Sequence, residues 1–315
     1  MKQLKKHTKI LIVSIAVVIF VTAGLLFAFH AFNAKDAAGE GIRYIIGVSV
    51  PDLSDSWQFQ MYKDIYEEAG KYSDINIVFN DAALSVSKQN QDIDNLVNQK
   101  ADIIIVMPVD RKAIEEKMQS VVHKKIPVII LQRPVDCAYS AFIYSDNYKI
   151  GQTAGQYAKT LLGDTGGTVL EIQGDPYSYE SLQRKAGFND AIKGSAIKKE
   201  YVLAAYWSRD IAYERLFADD LYGKTPAVDL VFAHNDTMGI GAYMAAKVKG
   251  LNIKIIGVDS LPGRNLGLEA VQAEMLTASV QYPTGGKEAI DTAMRILNNQ
   301  QVQMNQEIPV SIVTK

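Results

Sequence analysis

The chain has 315 residues, a formal net charge of −2, 48 % hydrophobic residues and 22 % charged residues. This is an ordinary globular composition, long enough for two domains, and its near-neutral balance gives no reason to expect a nucleic-acid partner. A single cysteine, Cys137, excludes an internal disulfide and a cysteine-rich metal site, and four scattered histidines show no HExxH or other ligand spacing, so neither a metal nor a cofactor is expected.

The chain opens with a basic stub, residues 1–9, carrying Lys2, Lys5, Lys6 and Lys9. Residues 10–30 follow as the membrane segment, in which Ile10–Phe29 carries no charge and is apolar all round. Such a stretch matches the thickness of a bilayer and is longer than a usual secretory h-region. The basic flank orients the amino end inside and the rest outside. Around Ala31, Ala34 and Ala37 no small-x-small pair marks a cleavage site, and no cysteine ends the span. An uncleaved transmembrane anchor is therefore expected, with a cleaved signal segment as the alternative. Residues 31–42 read as a short linker, small and polar from Asn33 to Gly41.

Beyond the linker, strands and helices alternate. The apolar runs predict strands at 44–50, 75–79, 102–106, 128–131, 142–144, 168–172, 201–205, 230–233, 254–258, 277–280 and 310–313. Helical patterns such as 58–71, 87–99 and 284–299 lie between them. Continuously apolar strands separated by helices imply parallel sheets covered on both faces, and about eleven strands suit two sheets better than one. The break between them is expected near Ser145-Asp146-Asn147.

In such a fold, ligands bind beyond the carboxyl ends of the strands. Polar and aromatic residues recur there. Trp57 follows the first strand and the loop Pro51-Asp52-Leu53-Ser54-Asp55-Ser56, and Trp207 follows the strand ending near Tyr206. Each could stack on the apolar face of a ligand or simply pack helix on sheet. Gln132 and Arg133 end one strand, and Arg184 lies in the helical stretch after Gly174-Asp175-Pro176. Asn235 and Asp236 end the apolar run 230–233, Asp259 follows Gly257-Val258, and Gln281 follows Ser279-Val280. Fork-like donors, carboxylates and amides together suit a neutral polyol, whose hydroxyls both donate and accept. Taken singly, an Asp or Asn at such a place is often a helix cap, a role that fits Asp236.

Signatures of catalysis are poor. Gly239-Ile240-Gly241 lies in a helical stretch and lacks the third glycine of a dinucleotide loop, and neither GxxxxGK(S/T) nor GxSxG occurs. Asp164-Thr165-Gly166-Gly167 is turn chemistry. Spacing leaves a paired-carboxylate glycosidase open, though no helical glutamate stands out as its acid.

Six segments together carry a family resemblance. They are Ile126-Pro127-Val128-Ile129-Ile130-Leu131-Gln132-Arg133, Ser145-Asp146-Asn147, Arg184-Lys185-Ala186-Gly187-Phe188, Val231-Phe232-Ala233-His234-Asn235-Asp236-Thr237-Met238, Gly257-Val258-Asp259 and Gln281-Tyr282-Pro283. Over nearly all of residues 43–315 the chain resembles the type I periplasmic sugar-binding proteins, the D-ribose-binding-protein-like solute-binding family. The resemblance implies an α/β fold of two Rossmann-like lobes with parallel sheets, joined by a three-crossing hinge near Asp146, Gln281 and Pro309. It implies lobes of residues 43–146 plus 282–308 and 147–281 plus 309–315. Ligand contacts are implied around Ser56, Trp57 and Phe59 in the first loop, at Gln132 and Arg133, at Arg184 and the aromatic wall Trp207, and at Asn235, Asp259 and Gln281. Two positions depart from the family: Gln132 stands where it has Asp before the Arg, and Met107 replaces an Asn before Pro108. The first loop also differs in length. The missing carboxylate argues against D-ribose itself and for a related sugar.

The expected function is therefore extracytoplasmic binding of a monosaccharide, a pentose or hexose, with hinge closure and no catalysis. The implied partner is either an ABC permease, for import, or a membrane histidine kinase, for sensing, with attachment to the membrane through the N-terminal helix. A lac-repressor-type regulator shares the fold but needs a DNA-binding headpiece where the apolar segment stands. The alternatives are a non-sugar small-molecule receptor of the same fold and a sugar-active enzyme.

Overall fold

The structure, a computed structural model, describes residues 41–224 and 227–315. The expected anchor at residues 10–30 lies outside them, as does nearly all of the linker. Among the described residues no helix is long and apolar enough to cross a membrane.

The elements run β1 (Tyr44–Val50), α1 (Ser56–Ala69), β2 (Ile75–Asp81), α2 (Val86–Asn98), β3 (Ile103–Val106), α3 (Glu115–His123), β4 (Val128–Leu131), β5 (Ala141–Tyr144) and α4 (Asn147–Leu162). They continue with β6 (Gly167–Gln173), α5 (Tyr179–Ile192), β7 (Ile197–Ala204), α6 (Arg209–Ala218), β8 (Leu230–Ala233), α7 (Asp236–Val248), β9 (Lys254–Asp259) and α8 (Gly267–Gln272). The chain finishes with β10 (Ala278–Gln281), α9 (Gly286–Leu297), β11 (Asn305–Glu307) and β12 (Ile312–Val313). These strands form two six-stranded sheets, ordered β11-β5-β4-β3-β1-β2 and β12-β10-β9-β8-β6-β7. The chain passes from the first sheet to the second after β5, returns after β10 and leaves again after β11.

The central strands are buried along their whole length, as the unbroken apolar runs require. In the first sheet Ile104, Val106, Val128 and Ile130 pack under Ile93 and Leu96 of α2 and Met118 and Val121 of α3. In the second, Leu170, Ile172, Val231 and Ala233 pack under Ala212, Leu216, Met238 and Ala242 of α6 and α7. On its other face Phe188 of α5 stacks on Phe232, ring centroids 4.5 Å apart.

Two differences from the sequence reading have plain causes. The strand β11 was not expected, because Asn-Gln-Glu carries no apolar signal; it exists through its edge pairing with β5. The last strand, β12, pairs antiparallel with β10, so the second sheet is not wholly parallel.

Candidate functional site

Most helices start at the carboxyl end of a strand, and their caps bring polar atoms there. Asp55 caps α1 by accepting from Trp57 N (3.0 Å) and Gln58 N (2.9 Å). Asn235 caps α7 through Met238 N (2.9 Å). Asp236, which the sequence offered as that cap, is instead buried under the loop after β9, where it accepts from Ser260 N at 2.7 Å. Burial pushes its carboxyl up to about 7.

These strand ends enclose a cavity of about 720 Å³, lined from both sheets. The first contributes Asp52, Asp55, Ser56, Trp57 and Arg133; the second contributes Glu180, Arg184, Trp207, Asn235 and Asp259. The volume lies within the range of roughly 300–1,000 Å³ usual for small-molecule sites.

Arg184 is the deepest cation, 2 % exposed. Its position is set by helix packing. A Cβ at Gly151 of α4 would strike the Arg184 carbonyl, and one at Gly187 would strike Tyr148, so glycine lets α4 and α5 approach to backbone contact. Arg184 Nε donates to Asn147 Oδ1 at 2.8 Å and Nη1 donates to the His234 carbonyl. Its guanidinium carbon lies 4.6 Å from the Tyr282 ring centroid and 5.7 Å from that of Trp207, within cation–π range. Facing the same cavity, Asp259 is 8 % exposed, and burial raises its carboxyl well above the ordinary range, against the pull of Arg184.

Trp207 stands on a left-handed turn: Tyr206 and Trp207 have φ of 49° and 65°. Its indole lies across Gly174, where any Cβ would enter the ring. Its carbonyl accepts from Asn235 Nδ2 (3.2 Å) and Thr237 Oγ1 (3.1 Å), which holds the turn. Such strain outside glycine costs about 1–3 kcal/mol and tends to collect at functional sites. Trp57 lines the cavity but is also packed. It is 6 % exposed, stacks on Tyr282 with centroids 4.4 Å apart, and donates from Nε1 to the Tyr282 carbonyl at 2.7 Å. The packing reading of Trp57 holds, and the ring also forms part of the cavity wall.

Arg133 reaches across to the second lobe. Its Nε donates to Glu180 Oε1 at 2.7 Å, and its Nη1 donates to the Pro108 carbonyl at 2.7 Å. Burial disfavours the Glu180 charge, but Arg133 and then Arg184 hold that carboxyl below its ordinary range.

Three candidates lie elsewhere. Phe59 is 44 % exposed and stacks on Tyr62 on the outer face of α1. Two residues along a helix from Trp57, it cannot share that residue's face. Gln281 is exposed and accepts from Ser311 Oγ, because strand alternation turns it away from the side taken by Tyr282. Gln132 has φ of 58°, which swings its amide into the hinge. There Nε2 donates to the Pro283 carbonyl (3.0 Å) and the Thr284 carbonyl (2.9 Å), while Oε1 accepts from Ser145 N (3.0 Å). Conversely, Asp55, Glu180 and Tyr282 line the cavity without having been singled out. Asp55 was legible as a cap before an aromatic helix, and Glu180 as the residue one turn before Arg184 on the same face; Tyr282 gave no signal beyond following a strand.

The geometry agrees with comparisons to known proteins. A model of the periplasmic binding protein domain matches residues 46–301. The chain belongs to this family. That bears out the resemblance read from the sequence. Among periplasmic binding proteins, the ribose import binding protein of Bacillus subtilis is 28 % identical over 281 residues, covering 88 % of this chain and 90 % of that protein. A fructose-binding periplasmic domain of a hybrid two-component system shares the structure at a TM-score of 0.79 and 31 % identity, over 87 % of this chain and 91 % of that one. An ABC transporter solute-binding protein from Bacillus halodurans, with bound myo-inositol, matches at a TM-score of 0.79 and 25 % identity, over 88 % of this chain and 96 % of that one.

Proposed function

We propose that the chain binds a monosaccharide or similar polyol in the cavity between its two sheets, outside the cytoplasm, and closes on it through the three crossings. One observation carries the reading: donors and acceptors of both charges, with two indoles and two phenols, converge on one cavity from both sheets. Arg184 spends Nε–H and one Nη1 hydrogen on Asn147 and His234, which leaves the other Nη1 hydrogen and both on Nη2 to donate to a ligand. Asp259 offers an acceptor and Asn235 its second amide hydrogen on the same side, and Trp207 offers a flat apolar face to the C–H side of a sugar ring. Such a mixed set matches hydroxyl groups and a balanced charge better than an ionic ligand. The relatives named for ribose and fructose, and the one with bound myo-inositol, point the same way. The chain acts as a binding protein and not as an enzyme. Titration of the purified full-length chain with D-ribose, D-fructose and myo-inositol, by calorimetry and by tryptophan emission, should give saturable heat and an emission change with at least one; silence with all three would reject the reading.

The uncharged segment 10–30 extends the proposal. If it stays uncut, it tethers the lobes beside a membrane partner, where effective concentration can replace high affinity. That favours a sensing role with a membrane histidine kinase over delivery to an ABC permease. Mass spectrometry of the membrane fraction should then find peptides from residues 1–9 on the same chain as the binding lobes. Recovery only of a soluble form starting near residues 33–41 would remove this reason to prefer the sensor.

A further inference from the structure

We propose that the Glu180 carboxylate is itself a ligand contact, accepting a hydrogen bond from one hydroxyl of the bound sugar beside Arg133. The inference rests on the reading of the cavity as a monosaccharide site. Glu180 is the second residue of α5 and lies one turn before Arg184, so the two share a helix face. It lines the cavity, and its side chain is 6 % exposed. Its Oε1 accepts from Arg133 Nε at 2.7 Å. Its Oε2 is buried and has no hydrogen-bond partner among the described residues.

A contact serving only to pair the lobes needs one oxygen. A second, ionised oxygen left buried without a donor is a costly arrangement unless the donor arrives with the ligand. That donor is a neutral hydroxyl, not a cation: Arg133 touches this carboxylate and Arg184 stands one turn away, so a further positive charge would meet two guanidiniums. The neighbour of Arg133 cannot serve in its place, because the amide of Gln132 is spent on Ser145, Pro283 and Thr284. The acceptor beside Arg133 therefore comes from the opposite lobe, and the hydroxyl it reads is gripped only when the lobes meet.

The test is a binding cycle on the full-length chain with D-ribose, D-fructose, myo-inositol and monodeoxy analogues of whichever of them binds. Glu180→Gln should weaken the parent sugar by about tenfold or more. One analogue, lacking the hydroxyl that Glu180 reads, should bind wild type and Glu180→Gln with affinities within about twofold of each other. Should Glu180→Gln fail to fold by circular dichroism, Glu180→Asp, which keeps the charge and withdraws the oxygens, carries the same cycle. Undiminished affinity for the parent sugar overturns the proposal. So does an equal loss with every analogue, which would make Glu180 a latch between lobes. If wild type binds none of the three, the sugar reading itself has failed and the inference falls with it.

Discussion

The placement of Gln132 can be tested sharply, because the two roles open to it make opposite demands. As a ligand residue it would matter for binding and little for folding. In the structure it is 1 % exposed, and its amide makes three hydrogen bonds, at 3.0, 2.9 and 3.0 Å, to backbone on two different crossings. Gln132→Met keeps the length of the side chain and removes all three. At about 0.5–1.5 kcal/mol net for each bond, the loss comes to about 2–4 kcal/mol. The orphaned Ser145 N–H and two carbonyls keep the figure from falling lower. Urea unfolding followed by tryptophan emission should move its midpoint down by on the order of 1 M. Sugar affinity of the folded variant should change far less than its stability. Unchanged stability with lost sugar binding would refute the hinge role and return Gln132 to the cavity.

Three further outcomes follow from the same geometry. Arg184→Ala and Asp259→Ala should each weaken sugar binding by about 2–4 kcal/mol in calorimetry while circular dichroism stays native, since each leaves a buried polar partner or ligand hydroxyl unpaired; normal binding by either variant would remove that residue from the site. Gly174→Ala should cost about 1–3 kcal/mol of stability and shift tryptophan emission, because its methyl group displaces the Trp207 indole; an unchanged spectrum and midpoint would show the ring does not lie there. The third concerns acid. Burial opposes the Glu171 charge, but the hydrogen bond from His234 (3.0 Å) and the ammonium of Lys199 (2.8 Å) hold its carboxyl down at about 2. A depressed carboxyl gives stability that is complete above its unfolded value near 4.5 and is lost as pH falls toward 2. Glu171→Gln should flatten the stability profile between those limits, and a mutant profile parallel to wild type would contradict the assignment.

The architecture was largely legible because its signals are local. Runs such as Ile103–Val106 and Leu230–Ala233, short and alternating with helical patterns, read as fully buried strands, and a buried parallel sheet then dictates helices on both faces. The strand β11 was invisible because its reason for being a strand lies in another segment, β5. The site divides in the same way. Trp207, Asn235 and Asp259 could be placed at strand ends, and Arg184 on the helix that follows one, from the chain alone, and they converge. The direction of a side chain at a strand end depends on one backbone torsion, and sequence does not report it. Hence Gln132 turns to the hinge while its neighbour Arg133 turns to the cavity. Gln281 and Tyr282 are one strand alternation apart, so an error of one residue exchanges the inside with the outside. Glu180 stands one turn before Arg184 in the sequence, and only the approach of the two lobes makes it a partner of Arg133.

The central claim is that one sugar is held between two lobes by this set of side chains. A crystal structure of the chain grown with D-ribose, D-fructose or myo-inositol tests it most directly. Sugar density should fill the cavity of about 720 Å³, with Arg184, Asn235 and Asp259 bonded to hydroxyls from one side, Arg133 approaching from the other, and the Trp207 ring against a C–H face. Sugar bound outside this cavity, or held by residues of a single lobe, would contradict it.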